Sequence, residues 1–225
     1  TISFIDSLIS RNLVPKRVLV GGVNFTLTRD QAGQFAIAGM PPSRWPVARW
    51  LIGQKNFTLR NADITFVDEM RNAHQEIFKG VQITITRKND THFVSAYVER
   101  HDLGRETWAV RISSDKNILT SDWNGKIRLE IFNGNLNELL ESFTTDEDPL
   151  GLSRVATGEL DITLDTEWQD AKLQTAVVKT EARKIRLVGE TSASINVFLA
   201  NSIAQREADG WSLSITPVSY THLRA

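Results

Sequence analysis

Residues 81–87, VQITITR, put Val81, Ile83 and Ile85 at every second position, with Gln82, Thr84 and Thr86 between them. Side chains on a strand point alternately to opposite faces, so this run has one apolar and one polar face. The same period extends in both directions. Upstream lie Phe25 and Leu27, then Phe35 and Ile37 beyond the turn-like Asp30-Gln31-Ala32-Gly33, then Phe57 and Leu59, and Ile64 and Phe66. Downstream come Trp108, Val110 and Ile112, then Ile127, Leu129 and Ile131, then Leu160, Ile162 and Leu164. Ile185 and Leu187, then Ile195, Val197 and Leu199, and last Trp211, Leu213 and Ile215 complete the series. Thr, Val, Ile and Phe dominate these runs, and all four fit a pleated surface. Lys88-Asn89-Asp90, Asn124-Gly125 and Ala208-Asp209-Gly210 supply short turns. The expectation is an all-β chain, mainly an antiparallel meander with a few short helices.

Three stretches carry helical spacing: 1–13, 43–54 with Pro46 in its first turn, and 135–143 with Leu136, Leu139, Leu140 and Phe143 on one side. The acidic stretch 144–151 reads as a solvated connector, since it lacks the spaced ligands and the glycine of a calcium loop. It divides a first β sub-module over 1–143 from a second over 152–217. Residues 218–225 stand apart: SYTHLRA, from Ser219, breaks the alternation and resembles translated sequencing adapter, so it reads as a non-native tail. A short echo, Asn-Phe-Thr-Leu at 24 and again at 56, fits growth by addition of hairpins.

Composition narrows the function. The 225 residues carry a formal net charge of -1, against the basic face that nucleic acid requires. There is no cysteine, which excludes disulfides and thiolate metal sites. No window approaches the roughly 18–20 apolar residues of a membrane span. The chain opens on Thr1 with no leader, so its native start is expected upstream.

Catalytic signatures are missing from the sequence. No histidine among His74, His92, His101 and His222 has a second one at zinc-motif spacing, and His92 and His101 read as exposed turn residues. Gly21-Gly22 has no helix or lysine after it to bind phosphate and reads as a bend. Asp161, Asp165 and Glu167 share a polar strand face as surface acids. The six tryptophans, spread at strand ends, read as core plugs or groove caps; a carbohydrate-binding face would use them differently. The expectation is a protein that is not an enzyme and takes no cofactor or metal.

Four segments in order resemble the AsmA-like, YhdP-type family: VPKRVLVGGVNFTLTRDQAGQFAIAGM, then WLIGQKNFTLRNADITFVDEMRNAHQEIFKGVQITITRKNDTHFVSAYV, then GKIRLEIFNGNLNELLESF, then GELDITLDTEWQDAKLQTAVVKTEARKIRLVGE. The resemblance covers most of residues 10–190. It implies a periplasmic region, anchored to the inner membrane by a segment absent from this chain, whose extended, curved open sheet forms a groove for phospholipid. It brings no catalytic residues. An open sheet with a continuous apolar face must cover that face, and acyl chains can do so. The groove candidates are Phe25, Leu27, Phe35, Ile37, Phe57, Leu59, Ile64, Phe66, Ile83, Ile85, Val110, Ile112, Leu129, Ile131, Ile162, Leu164, Ile185 and Leu187. Two other readings stand beside this one: a structural or adhesive β-repeat with a closed core, and a carbohydrate-binding β domain. Oligomeric state, lipid species and direction of transport are left open.

Overall fold

A computed structural model describes residues 16–32, 35–38, 55–71, 74–100, 106–116, 118, 122–141, 155–187 and 193–224. Twelve strands run β1 (Val18–Gly21), β2 (Asn24–Arg29), β3 (Phe35–Ile37), β4 (Asn56–Asp68), β5 (His74–Lys88) and β6 (Thr91–Arg100). They continue as β7 (Glu106–Ser114), β8 (Gly125–Asn135), β9 (Val155–Gln169), β10 (Lys172–Leu187), β11 (Ala193–Glu207) and β12 (Gly210–Arg224). Among the described residues a 3-10 turn (Glu69–Arg71) follows β4, and a helix, α1 (Leu136–Glu141), follows β8. The protein is all-β. The strand order β12-β11-β10-β9-β8-β7-β6-β5-β4-β2-β3 does not close on itself, so the sheet is open.

From β4 onward each strand lies beside its neighbour in sequence, and the recorded registers there are antiparallel. The start of the chain departs from the expected meander. β1 and β2 both pair with β4 in parallel, β1 along Phe57–Arg60 and β2 along Asp63–Asp68. A parallel pair needs a long crossover, and the stretch between Ile37 and Asn56 is long enough to provide one. Gly22, at φ 65, makes the bend between β1 and β2 and donates its N–H to Arg60 O at 3.1 Å. That bend is the role its sequence suggested.

The apolar period slips by one residue at several places, and each slip is a bulge. Leu59 and Ile64 are five residues apart, which on a regular strand would put them on opposite faces. Asn61, at φ 50, takes up the extra residue, so Leu59, Ala62 and Ile64 share one face. Gly80, at φ 68, does the same between Phe78 and Val81. Asn133 at φ 53 sits between buried Ile131 and Gly134, and Lys184 at φ 52 between buried Ala182 and Ile185. A bulge adds one residue and bends its strand.

Two compact units form, residues 1–99 with 111–125 and residues 100–110 with 126–225. In the second, Leu136 of α1 closes over Leu160, Ala182 and Ile185 to form a buried apolar cluster. Asn135 caps this helix, its Oδ1 accepting the N–H of Asn137 at 3.0 Å. The helix expected over 135–143 is thus present as Leu136–Glu141. The stretches 1–13, 43–54 and 144–151 lie outside the described residues. Residues 218–224, set aside as a tail, continue β12, with Val197 opposite Thr221 and Ser194 opposite Arg224.

Candidate functional site

In the first unit, strand register assembles one apolar face from residues distant in sequence. Val18, Phe57, Ile85 and Val94 form one row across β1, β4, β5 and β6, and Val20, Leu59, Ile83 and Ala96 form the next. Beyond the bulge, Phe25, Ile64 and Phe78 make a third row, and Ile37, Leu27 and Phe66 a fourth. Phe57, Leu59 and Ile85 are buried, while Phe25, Leu27, Ile37, Ile64, Phe66 and Ile83 are half-buried. On β7, Ile112 of this unit and Val110 of the second are each half-buried. The side chain of Phe35 lies outside the description.

The second unit repeats the arrangement. Leu160, Ala182 and Phe198 lie in register across β9, β10 and β11, followed by Ile162, Thr180 and Ala200, then by Leu164, Val178, Ser202 and Ile215 on β12. Ile131 and Ile185 are buried, whereas Leu129, Ile162 and Leu164 are half-buried. Only backbone pairing is described for Leu187. The candidates therefore sort by depth. Ile185 is core beneath Leu136, while Leu164 lies at the open part of the face, where Ile215 at 62% and Leu213 at 66% are exposed.

The sequence reading erred on β11. It placed Ile195, Val197 and Leu199 on one face, but Phe198 stands opposite Ala182 and Leu199 opposite Glu181. Leu199 therefore belongs to the polar side, where it lines a shallow depression of about 300 Å³ with Phe132, Lys179 and Asn201. Two adjacent apolar residues, Val197-Phe198, leave the period ambiguous, and only pairing resolves it.

Cross-strand ion pairs lace the opposite face of the second unit. Arg128 grips Asp165 with two N–H groups at 2.6 and 2.9 Å, Lys126 meets Glu167 at 2.7 Å, and Lys184 meets Glu159 at 2.6 Å. Arg183 reaches Asp161 at 2.8 Å and Glu181 at 3.2 Å. These partners set the charge states. The Arg128 guanidinium holds Asp165 below the usual carboxylate range, and the Lys184 ammonium does the same to Glu159. The acids expected as solvated surface groups are paired, and they stabilise a water-facing side.

His92 corrects another expectation. It is buried rather than exposed at a turn, because it shares the inward face of β6 with Val94, Ala96 and Val98. Burial pushes its pKa below the ordinary histidine value, with Arg87 adding to the effect and Asp90 opposing it. His101 lies outside the described residues. Of the four tryptophans described, Trp123 is buried, Trp108 and Trp168 are half-buried, and Trp211 alone is exposed. Among the described residues no group of three His, Asp or Glu side chains is arranged to hold a metal ion.

A family model described as YhdP protein matches residues 1–221. The chain belongs to the YhdP family. No curated protein and no solved structure matches it. Family membership agrees with the resemblance carried by the four sequence segments and with the open all-β sheet. Among the described residues of this YhdP-family chain, no helix is long and apolar enough to cross a membrane.

Some residues of the YhdP-family face escaped the sequence reading. Arg29 follows Phe25 and Leu27 at the same period, and Asp68 follows Ile64 and Phe66. Asp68 is buried and pairs in register with Arg29. Carrying the alternation one step past its last apolar residue would have found both.

Proposed function

We propose that this chain is part of a periplasmic lipid-transfer scaffold, in which the apolar face of each unit binds phospholipid acyl chains for passage between the inner and outer membranes. It performs no catalysis in this reading. The observation that carries the reading is the incomplete burial of an apolar face held in strict register. Eleven of the candidate residues are half-buried, while the reverse side of the second unit is sealed by ion pairs. Single half-exposed apolar side chains are common on folded proteins, but a contiguous face of them calls for a cover. Each acyl methylene withdrawn from water contributes about 0.8 kcal/mol, so a face of this kind retains lipid without any polar contact.

The carbohydrate reading loses support from the tryptophans. The Trp168 indole N–H is engaged by Thr166 Oγ1 at 2.8 Å, that of Trp108 by Glu106, and Trp123 is buried. A photoreactive residue in place of Leu164, on the apolar side, should cross-link to phospholipid in cells. The same residue in place of Lys179, on the paired side, should not. Equal labelling from both positions would count against the proposal.

A further inference from the structure

We propose that Arg29 is a headgroup site, binding the phosphodiester of a zwitterionic glycerophospholipid whose acyl chains lie on the apolar face of the first unit. This rests on the acyl-chain reading above and adds the class of lipid. Phe25, Leu27 and Arg29 share one face of β2, and Ile64, Phe66 and Asp68 lie beside them in register on β4. The apolar rows thus end in one that sets Arg29 and Asp68 between Phe35 on β3 and His74 on β5. A membrane lipid has the same layout, with chains that avoid water joined to a charged head.

Arg29 is incompletely partnered. Its Nη1 approaches Asp68 Oδ2 at 3.6 Å, an ion pair longer than a hydrogen bond. The other carboxylate oxygen, Oδ1, accepts the N–H of Met70 at 3.1 Å. Among the described residues the buried Nε of Arg29 has no hydrogen-bond partner. A buried donor left unmade is costly and calls for an acceptor. The Nε and Nη donors of a guanidinium form a planar fork that matches two oxygens of one phosphate. Lysine offers no such fork.

The charge around the fork selects the head. Asp68, 3% exposed, lies against Arg29, and His74 stands opposite Asp68 on β5. A carboxylate held beside the guanidinium disfavours a purely anionic head and favours one that carries an ammonium beside its phosphodiester.

The test is native mass spectrometry of the full chain titrated with phosphatidylethanolamine, phosphatidylglycerol and a free fatty acid. The wild-type chain should take phosphatidylethanolamine in preference to both. The double variant Arg29→Gln/Asp68→Asn removes both charges without leaving either buried alone. It should lose about ten- to a hundredfold in phosphatidylethanolamine affinity while keeping its fatty-acid affinity. Arg29→Lys, which keeps the charge and loses the fork, should fall nearly as far. Unchanged phosphatidylethanolamine binding in both variants would overturn the headgroup site and leave the acyl-chain reading standing. Equal binding of glycerophosphoethanolamine, a head without chains, would make Arg29 a site for soluble phosphodiesters and overturn the lipid assignment. A wild-type chain that takes neither phospholipid nor fatty acid would instead defeat the acyl-chain reading itself.

Discussion

Asp161 Oδ1 on β9 accepts the backbone N–H of Asn133 on β8 at 2.7 Å, at the point where β8 slips by one residue. The first unit has the same device, with Asp63 Oδ1 on β4 accepting the N–H of Gly80 on β5 at 3.0 Å. A bulge leaves its extra residue outside the ladder, and a neighbouring aspartate supplies the acceptor that the ladder no longer provides. Arg183 then binds the second oxygen of Asp161 and reaches Asn133 Oδ1 at 3.4 Å, so that bulge is braced from two sides.

Asp161→Ala should therefore cost about 1–3 kcal/mol in a urea titration, because it removes a charge-assisted acceptor and leaves Arg183 with its other acids. Asp161→Asn, which retains one acceptor oxygen, should cost clearly less. Equal losses would show that the ion pair outweighs the bulge contact.

The tight turn between β9 and β10 places Asp170 at φ 49 and Ala171 at φ 54. Both lie in the left-handed region that glycine enters without a Cβ penalty, and the two-residue hairpin turn of this hand favours Gly at its second position. Ala171→Gly is expected to raise stability by about 1 kcal/mol, read as a higher melting temperature. A lower one would mean the turn is held by something other than its backbone preference.

Gly125 makes the opposite case. A Cβ there would come within 2.1 Å of Ser113 O and 2.9 Å of Ser114 Cα, both backbone atoms that cannot step aside. Gly125→Ala should destabilise the first unit by about 2 kcal/mol or more. A silent substitution would mean that β7 and the start of β8 separate more easily than their spacing implies.

Acid should weaken the fold in two stages. His92 has a pKa below its ordinary value, so the unfolded chain binds the extra proton first as pH falls. Its contribution is complete above about pH 6.5 and is lost as pH drops through the lower folded value. Asp165 and Glu159 are also depressed, so their contributions are present above the usual carboxylate range, near pH 4, and fade below it. Both remain partly open to water, which keeps the second stage small. His92→Leu should abolish the first stage in a pH series of urea midpoints and leave the second. A first stage that survives the substitution would assign it to another group.

Much of this architecture was legible because the apolar period of two recurs in nearly every strand. Val81, Ile83 and Ile85 needed nothing beyond alternation to be placed, and Asn89-Asp90 marked its own turn. The sequence was silent where two strands must be seen together. Parallel pairing of β2 with β4 depends on a crossover, which no local pattern encodes. The face of Leu199 depended on Glu181 across the ladder. Asn61 and Lys184 carry no bulge signature of their own, although the five-residue step from Leu59 to Ile64 was a readable sign of a slip. His92 looked like a turn residue because it is three positions from Asn89, and the strand carries it inward.

The two faces should respond differently to charge. Leu164→Glu puts a carboxylate on the open part of the apolar face, and lipid occupancy should fall several-fold while the melting temperature changes little. Leu160→Ala, in the cluster under Leu136, should instead cost about 2–5 kcal/mol of stability. A Leu164→Glu chain that unfolds would place Leu164 in dry core.

The central claim is tested most directly by expressing the full chain in a bacterial periplasm, purifying it without detergent, and measuring phospholipid in an organic extract. The account predicts co-purified glycerophospholipid in the wild-type chain, reduced in Leu164→Glu. A well-folded chain that yields no lipid would contradict it and identify the apolar faces as closed core.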